Sequence, residues 1–340
     1  MKIRLARRDD RAEWDNYVDR LPLQPPLNRY GWKNVLEKSY GIKTLFFIAS
    51  DERDNICGVL PTYIIRDFRG KKRLYSLRFG LSGNNDTVRN EFFLYLKSFC
   101  KKNNFISNSV TSGYCRVDTE FRCFIKKTIM MEIADNEEAT WGSFRAKTRN
   151  MIRKALRSNL TSEKGFHNLK EFYNIYMINM LAKGIPVHSY RFFRNLVSEI
   201  RDAELIVAKM DGRIIAGILI LFSKDIAIYP FQASLMHFHK FAPNNFLIWE
   251  AIKSCLKRGI HRLDMGESTE GGDVYIFKTN LGGSPRDIYY YSAFGPKRVV
   301  VDEIDGETMT LPLTNKILLN TPFWLKKRMG LWIKKRERII

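Results

Sequence analysis

The sequence predicts an α/β protein built from two similar halves, each a mixed sheet with helices packed on it. Three observations carry this. Residues 45–50, the loop DERDN and residues 56–65 read as one hairpin, and residues 204–209, MDGR and 214–222 read as a second. Ile48 and Val207, Ala49 and Ala208, Gly58 and Gly217, and Leu60 and Leu219 are each 159 positions apart, which predicts one register and equal loops in both hairpins. Finally, 340 residues exceed the length at which single hydrophobic cores stop growing.

Taken in order, each half continues in the same way. A third strand at 73–79 leads into a helix at 87–102, and a third strand at 226–233 leads into a helix at 245–258 that Gly259 stops. Each half thus reads as an antiparallel meander, a helix and a returning strand. Between the halves, residues 139–162 contain no acidic side chain. Arg145, Arg149, Arg153 and Arg157 recur there every four residues, with Lys147 and Lys154 beside them. On a helix they form a stripe of cations about 6 Å apart, while Trp141, Phe144, Thr148, Ile152 and Ala155 face a core. In-line arginines repel by a few tenths of a kcal/mol per pair, a cost that an anionic partner relieves; a merely solvated basic face is the alternative.

After Gly259, residues 261–265 alternate polar and apolar as a half-buried strand does, and Gly266 permits a sharp turn. Asp264, Glu267 and Ser268 are therefore expected together at a strand end. The Gly271-Gly272 pair then acts as a hinge returning Tyr275, Phe277 and Lys278 toward those carboxylates. Polar residues also cap strand ends with no chemical role, so the segment alone leaves both readings open. From Pro322 on, Phe323, Trp324, Leu325, Met329, Leu331, Trp332 and Ile333 interleave with Lys326, Lys327, Arg328, Lys334, Lys335, Arg336 and Arg338, against one acid, Glu337. This pattern fits an amphipathic segment on an anionic membrane face, or a helix docked on the protein.

Composition bounds the class. With 45% hydrophobic and 13% aromatic residues the chain has ordinary core material, and its charged N-terminus lacks the apolar stretch of a secretory signal. Its longest clean apolar run, 214–222, is too short to span a bilayer. Five cysteines without C-x-x-C fit reduced thiols of a cytoplasm. The histidines lack H-E-x-x-H spacing, and His237 with His239 is a weak pair, so no metal site is expected. The formal net charge of +21, from 57 Lys and Arg against 36 Asp and Glu, favours a polyanionic partner, RNA or an anionic membrane surface.

The repeated order of three strands, helix and strand resembles the GNAT-type acyltransferase fold, and two copies in one chain resemble the FemAB family of peptidyl and aminoacyl transferases. The closer match rests on Trp141, Phe144, Arg149, Ile152, Arg153, Lys154 and Ala155, then Gly184, Pro186 and Ser189. Pro243, Asn244, Leu247 and Trp249, then Gly259, Asp264, Gly266 and Ser268, then Phe277-Lys278 and Gly282, continue it. Trp32, Tyr40-Gly41, residues 58–61, Ser76-Leu77, Pro322, Trp324 and Gly330 extend it over nearly the whole chain. These positions are similar to FemAB-like proteins associated with exopolysaccharide and PEP-CTERM exosortase systems.

The resemblance implies two tandem GNAT-like domains, at 1–138 and 139–312, with the active site in the second and a basic tail at 313–340. It implies transfer of an acyl or aminoacyl group to an amino group of a cell-envelope or polysaccharide precursor, with aminoacyl-tRNA or acyl-CoA as co-substrate and no tightly bound cofactor. Lys278 then stabilises the developing oxyanion or holds the donor's phosphate end, and Asp264 or Glu267 accepts the proton. Tyr275, Phe277, Ser268, Trp141, Arg149, Arg153 and Lys154 contact substrate. GNAT enzymes cradle the coenzyme A pyrophosphate in a glycine-rich turn; residues 235–245, LMHFHKFAPNN, hold no glycine, which disfavours that donor in the second half. A catalytically inactive, membrane-docked scaffold is the remaining alternative.

Overall fold

The computed structural model describes residues 1–67, 69–294, 317–319 and 321–336. The expected domain limit at 312 lies outside them, as do Glu337 and Arg338 and the side chains of Phe323 and Trp324. Two compact units divide the chain: Met1–Lys126 with Asp287–Thr310 and Trp332–Ile340, and Lys127–Arg286 with Leu311–Leu331. The first division therefore falls twelve residues before the limit expected at 138, and the chain re-enters unit 1 after 286. Strand pairing explains the return.

In unit 1 the strand order is β1 (Lys2–Leu5), β2 (Thr44–Ser50), β3 (Ile56–Arg66), β4 (Lys72–Ser76), β6 (Phe105–Gly113) and β13 (Ser284–Ser292), with the short β5 (Ser82–Gly83) also on β3. The last of these comes from the far end of the sequence, and Tyr289, Tyr290 and Tyr291 pair with Gly113, Thr111 and Val110. Helices α1 (Arg11–Arg20) and α2 (Gly31–Tyr40) precede the meander, and α3 (Asp86–Lys102) joins the parallel pair β4 and β6. Asn85 starts α3 by accepting a bond from Val88 N at 3.0 Å. Its buried stripe of Val88, Phe92, Phe93, Leu96 and Cys100 packs on Leu45, Phe47, Leu60 and Leu74. Each large apolar side chain so buried contributes roughly 1.5–3 kcal/mol.

Unit 2 has the order β7 (Arg122–Glu132), β12 (Arg262–Glu267), β11 (Ala227–Ser234), β10 (Arg213–Phe222), β9 (Ala203–Met210) and β8 (Thr161–Lys164). Helix α8 (Pro243–Leu256) joins the parallel pair β11 and β12 and packs on β9 and β10, while α6 (Leu169–Ala182) packs on β10 and β11 and α7 (Tyr190–Glu199) on α6. The repeated order of strands and helix predicted from the sequence is thus present in both units.

The common register is not. In unit 1 Ala49 faces Gly58 and Phe47 faces Leu60; in unit 2 Ala208 faces Ala216 and Leu205 faces Leu219. Offset 159 holds for the first strand of each hairpin, and 158 for the second. A two-residue turn with Asp211 and Gly212 both at positive φ closes the second hairpin, whereas Asp51 organises a five-residue loop in the first by accepting from Arg53 N and Asn55 N. One residue of slip reverses strand faces. Gly58 accordingly lies under Phe92 of α3, and Gly217 under Phe172 of α6.

The basic helix is also divided. Helix α4 (Glu137–Ser143) ends before Phe144, which is extended (φ −67°, ψ 144°), and α5 (Ala146–Arg157) begins after Arg145. Trp141 and Phe144 therefore do not continue the apolar face of α5 formed by Thr148, Ile152 and Ala155. The break is satisfied locally: the Arg149 guanidinium donates to the Phe144 carbonyl and, at 3.2 Å, to that of Gly142.

Candidate functional site

Strands β11 and β12 pair through Ala227 with Leu263 and Ile228 with Asp264, and then no further. Beyond that point both strands continue, to Ser234 and Glu267. There the two strands part from each other, each keeping its other neighbour, and the first residue of β11 past the split is Tyr229. Its hydroxyl is buried without a hydrogen-bond partner, and burial, reinforced by the charge of Asp264, pushes its pKa well up. In unit 1 the equivalent parallel pair remains closed over Lys72, Arg73, Leu74 and Tyr75.

Asp264 is fully buried, and its Oδ1 accepts from Thr128 Oγ1 on β7 and, at 2.7 Å, from Gly266 N. Gly266 (φ 85°) lies inside β12, where the register against β7 shifts between Asp264 and Glu267, so it forms a bulge in the strand and not the sharp turn expected after it. The Gly271-Gly272 pair starts a helix, α9 (Asp273–Asn280), with Gly272 as its N-cap. That helix brings Lys278 back as expected. Its Nζ, only 6% exposed with its side chain, donates to Gly266 O at 2.9 Å, Glu267 O at 3.3 Å and Ser268 Oγ at 2.8 Å. A buried ammonium needs such acceptors, and here they are backbone carbonyls and one hydroxyl at the end of β12. Gly266 links the two charges, donating to Asp264 and accepting from Lys278. Gly283 permits this approach, because a Cβ there would fall 2.3 Å from Met265 Cε, 2.4 Å from Ile129 Cγ2 and 3.1 Å from Lys278 O.

The other predicted contact residues divide between this turn and α5. Tyr275 and Phe277 are half-buried on α9 and pack against the unit 2 core. Trp141 meets Trp249 of α8 edge to face at 5.2 Å, and the exposed Arg153 guanidinium lies 5.4 Å over the Trp141 ring. Lys154 and Arg157 are exposed on the same helix. Two contacts join α5 to α9: Thr148 Oγ1 donates to Asn280 O at 2.6 Å, and Arg145 to Asn280 Oδ1 at 3.2 Å. The structure therefore gathers Asp264, Glu267, Ser268 and Lys278 at one strand end and ties α5 to it, while Arg149 is occupied by the carbonyls of Gly142 and Phe144. Thr128, Tyr229 and Asn280 were not singled out in the sequence. Thr128 is 136 residues from Asp264, and no local spacing reveals such a partner.

The start of α8, where a GNAT enzyme would hold a pyrophosphate, fits that group poorly. A 3-10 turn at Met236–Phe241 and the left-handed Ala242 lead into Pro243, which has no N–H to offer, and the N–H of Ala242 is used by His239 O. Among the described residues no group of three or more His, Cys, Asp or Glu side chains is placed to hold a metal ion, and no helix is long and apolar enough to cross a membrane.

The family model described as "Acetyltransferase (GNAT) domain" matches residues 142–278, a span that takes in Tyr229, Asp264, Glu267, Ser268 and Lys278. Among solved structures, FemX superposes with a TM-score of 0.69 at 15% identity, covering 86% of this chain and 97% of its own. The C-terminal domain of a putative lysylphosphatidylglycerol synthetase from Agrobacterium fabrum gives 0.56 at 11% identity (84% and 92% covered). A tandem GNAT protein from the clavulanic acid biosynthesis pathway gives 0.52 at 9% (87% and 99%). No curated protein sequence matches. Residues 142–278 thus match a GNAT domain model, and the chain has a tandem GNAT fold like that of FemX and of the clavulanic acid pathway protein.

Proposed function

We propose that the protein is a FemAB-like N-acyltransferase that moves an aminoacyl group from aminoacyl-tRNA to an amino group of a cell-envelope or exopolysaccharide precursor. The observation that carries this reading is the parting of β11 and β12 beside Tyr229 and Asp264, next to the turn held by Lys278. An acceptor amine and a donor carbonyl can meet there away from bulk water. Glu267, half-buried at the strand end, takes the proton of the acceptor ammonium. The amine then attacks the ester carbonyl, forming the C–N bond and a tetrahedral oxyanion. Lys278 stabilises that charge by exchanging one of its three acceptors for it. Collapse breaks the ester C–O bond, and the second amine proton leaves with the 3′ oxygen of the tRNA. Asp264, wholly buried, positions Gly266 and so the turn.

The exposed cations of α5, Arg153, Lys154 and Arg157, suit tRNA phosphates, and the glycine-free start of α8 argues against coenzyme A. A second reading, an acyl-CoA donor, is favoured by the match to an acetyltransferase model. The tail supports work at the inner face of a membrane. Purified protein offered charged tRNA, acyl-CoA and cell-envelope extract decides between these. Transfer abolished by RNase supports tRNA; RNase-resistant transfer with release of free thiol replaces it with acyl-CoA; no transfer from either donor leaves the scaffold reading.

A further inference from the structure

Unit 1 contains a cleft of about 600 Å³ to which the residues that follow helix α10 (Phe323–Lys334) contribute. Three separate pieces of chain meet in it. Lys43 comes from the turn between α2 and β2, Arg66 from the end of β3, and Lys335 and Arg336 from just beyond α10. Among the described residues none of these four cations is paired with a carboxylate. Among the described lining residues the one acid, Asp67, is engaged elsewhere, accepting from Arg69 N at 2.9 Å and Lys71 N at 3.0 Å and lying 3.9 Å from Arg73. Gathering four cations against a single carboxylate already engaged elsewhere, as the described residues do, destabilises the protein unless an anion joins them. The C-terminal end of α2 adds an opposing partial charge of about −0.5, which four full positive charges outweigh.

We propose that this cleft is a binding site for a phosphate group, carried either by an anionic lipid headgroup or by a soluble phosphate ester. It is independent of the transfer reaction assigned to unit 2. The cleft's volume is that of a small-molecule site, room for one or two phosphates and not for an extended RNA backbone. Its lining is mixed, with Ile42 and Ile64 beside the cations. Trp332, 50% exposed and stacked 4.1 Å from the Arg336 guanidinium, lies one turn back along α10. An aromatic ring beside a cationic cleft suits a headgroup, with the ring at the level of the lipid interface.

The test uses the full chain. Lys43→Gln with Lys335→Gln removes two exposed cations from the cleft, and Lys101→Gln with Lys102→Gln, at the exposed end of α3, removes equal charge away from it. Binding is read with pyrophosphate by calorimetry and with phosphatidylglycerol-containing vesicles by flotation. The cleft variant is expected to weaken binding roughly 30-fold, at about fivefold per cation, and the control little. Lys43→Arg with Lys335→Arg is expected to keep binding, which guards against a folding defect. Loss confined to vesicles identifies a lipid headgroup; loss confined to pyrophosphate identifies a soluble ester. The proposal is overturned if the wild-type protein binds neither probe, if the cleft variant matches the control in both assays, or if it weakens only tRNA binding.

Discussion

Lys278 holds three acceptors at the end of β12 from a position that is 6% exposed, so its removal has two consequences. Lys278→Met removes the ammonium donor from the Gly266 carbonyl and the Ser268 hydroxyl, while the Glu267 carbonyl still accepts from Ser268 Oγ at 2.8 Å, and a loss of about 1–3 kcal/mol in stability is expected. Turnover is expected to fall about 100- to 1,000-fold if the ammonium stabilises the oxyanion. Measuring turnover at a temperature where circular dichroism shows the variant folded separates the two effects; normal turnover there makes Lys278 a brace of the turn. A second residue tests electrostatics at the edge of unit 2. Glu163 on β8 is held at a pKa of about 2 by hydrogen bonds from Lys209, then Asn168 and His167. Because the folded value is depressed from 4.5, its contribution is complete above pH 4.5 and disappears as the pH falls through about 2. The stability difference between wild type and Glu163→Gln should follow that window and shrink in salt, since the pair is open to solvent.

At the scale of elements, α5 separates residues that looked alike in the sequence. Arg149 and Arg153 share a spacing of four, yet Arg149 closes the end of α4 while Arg153 lies over Trp141 at the surface. Arg149→Gln is therefore expected to lower thermal stability. Arg153→Gln should leave stability nearly unchanged and flatten the salt dependence of tRNA affinity by roughly one unit. An unchanged slope would mean that Arg153 contacts no phosphate. The terminal helix is similarly more engaged than its composition implies. Ile333 is buried, and a Cβ at Gly330 would lie 3.3 Å from Leu181 Cδ2 and 3.5 Å from Val187. Deleting the chain from Phe323 on would thus uncover apolar surface and is expected to lower stability. Substituting its exposed cations is the cleaner probe of membrane binding.

For the molecule as a whole, the crossing of β13 into unit 1 predicts unequal independence of the two parts. A fragment of residues 127–286 contains the chain of β8 to β12, the α4 to α9 helices and the portion of β7 that pairs with β12, and of unit 2 it lacks only Leu311–Leu331, whose Gly330 covers Leu181 and Val187. A fragment of residues 1–126 lacks β13, so β6 becomes an open edge and the buried Tyr291, whose hydroxyl accepts from Val117 N at 2.7 Å, is lost. The first fragment is expected to give a cooperative thermal transition and the second to aggregate or remain unfolded. Cooperative folding of residues 1–126 alone would show that β13 is dispensable.

By itself the sequence determined the α/β class, the doubled order of strands and helix, and the strand and glycine pair whose placement returns Lys278 toward Asp264, though not the helix α9 or the bulge at Gly266 that carry out the return. These depend on periodicity, glycine placement and spacing within about thirty residues, which local backbone preferences set directly. Only the tertiary structure decided the one-residue slip between the hairpins, the return of β13, the division of α4 from α5, and the partners Thr128 and Tyr229 around Asp264. Each of these depends on which distant segments share a ladder or a buried hydrogen bond. Such pairings are selected by the fit of whole faces and by the need to satisfy buried polar groups, so no single stretch of chain encodes them.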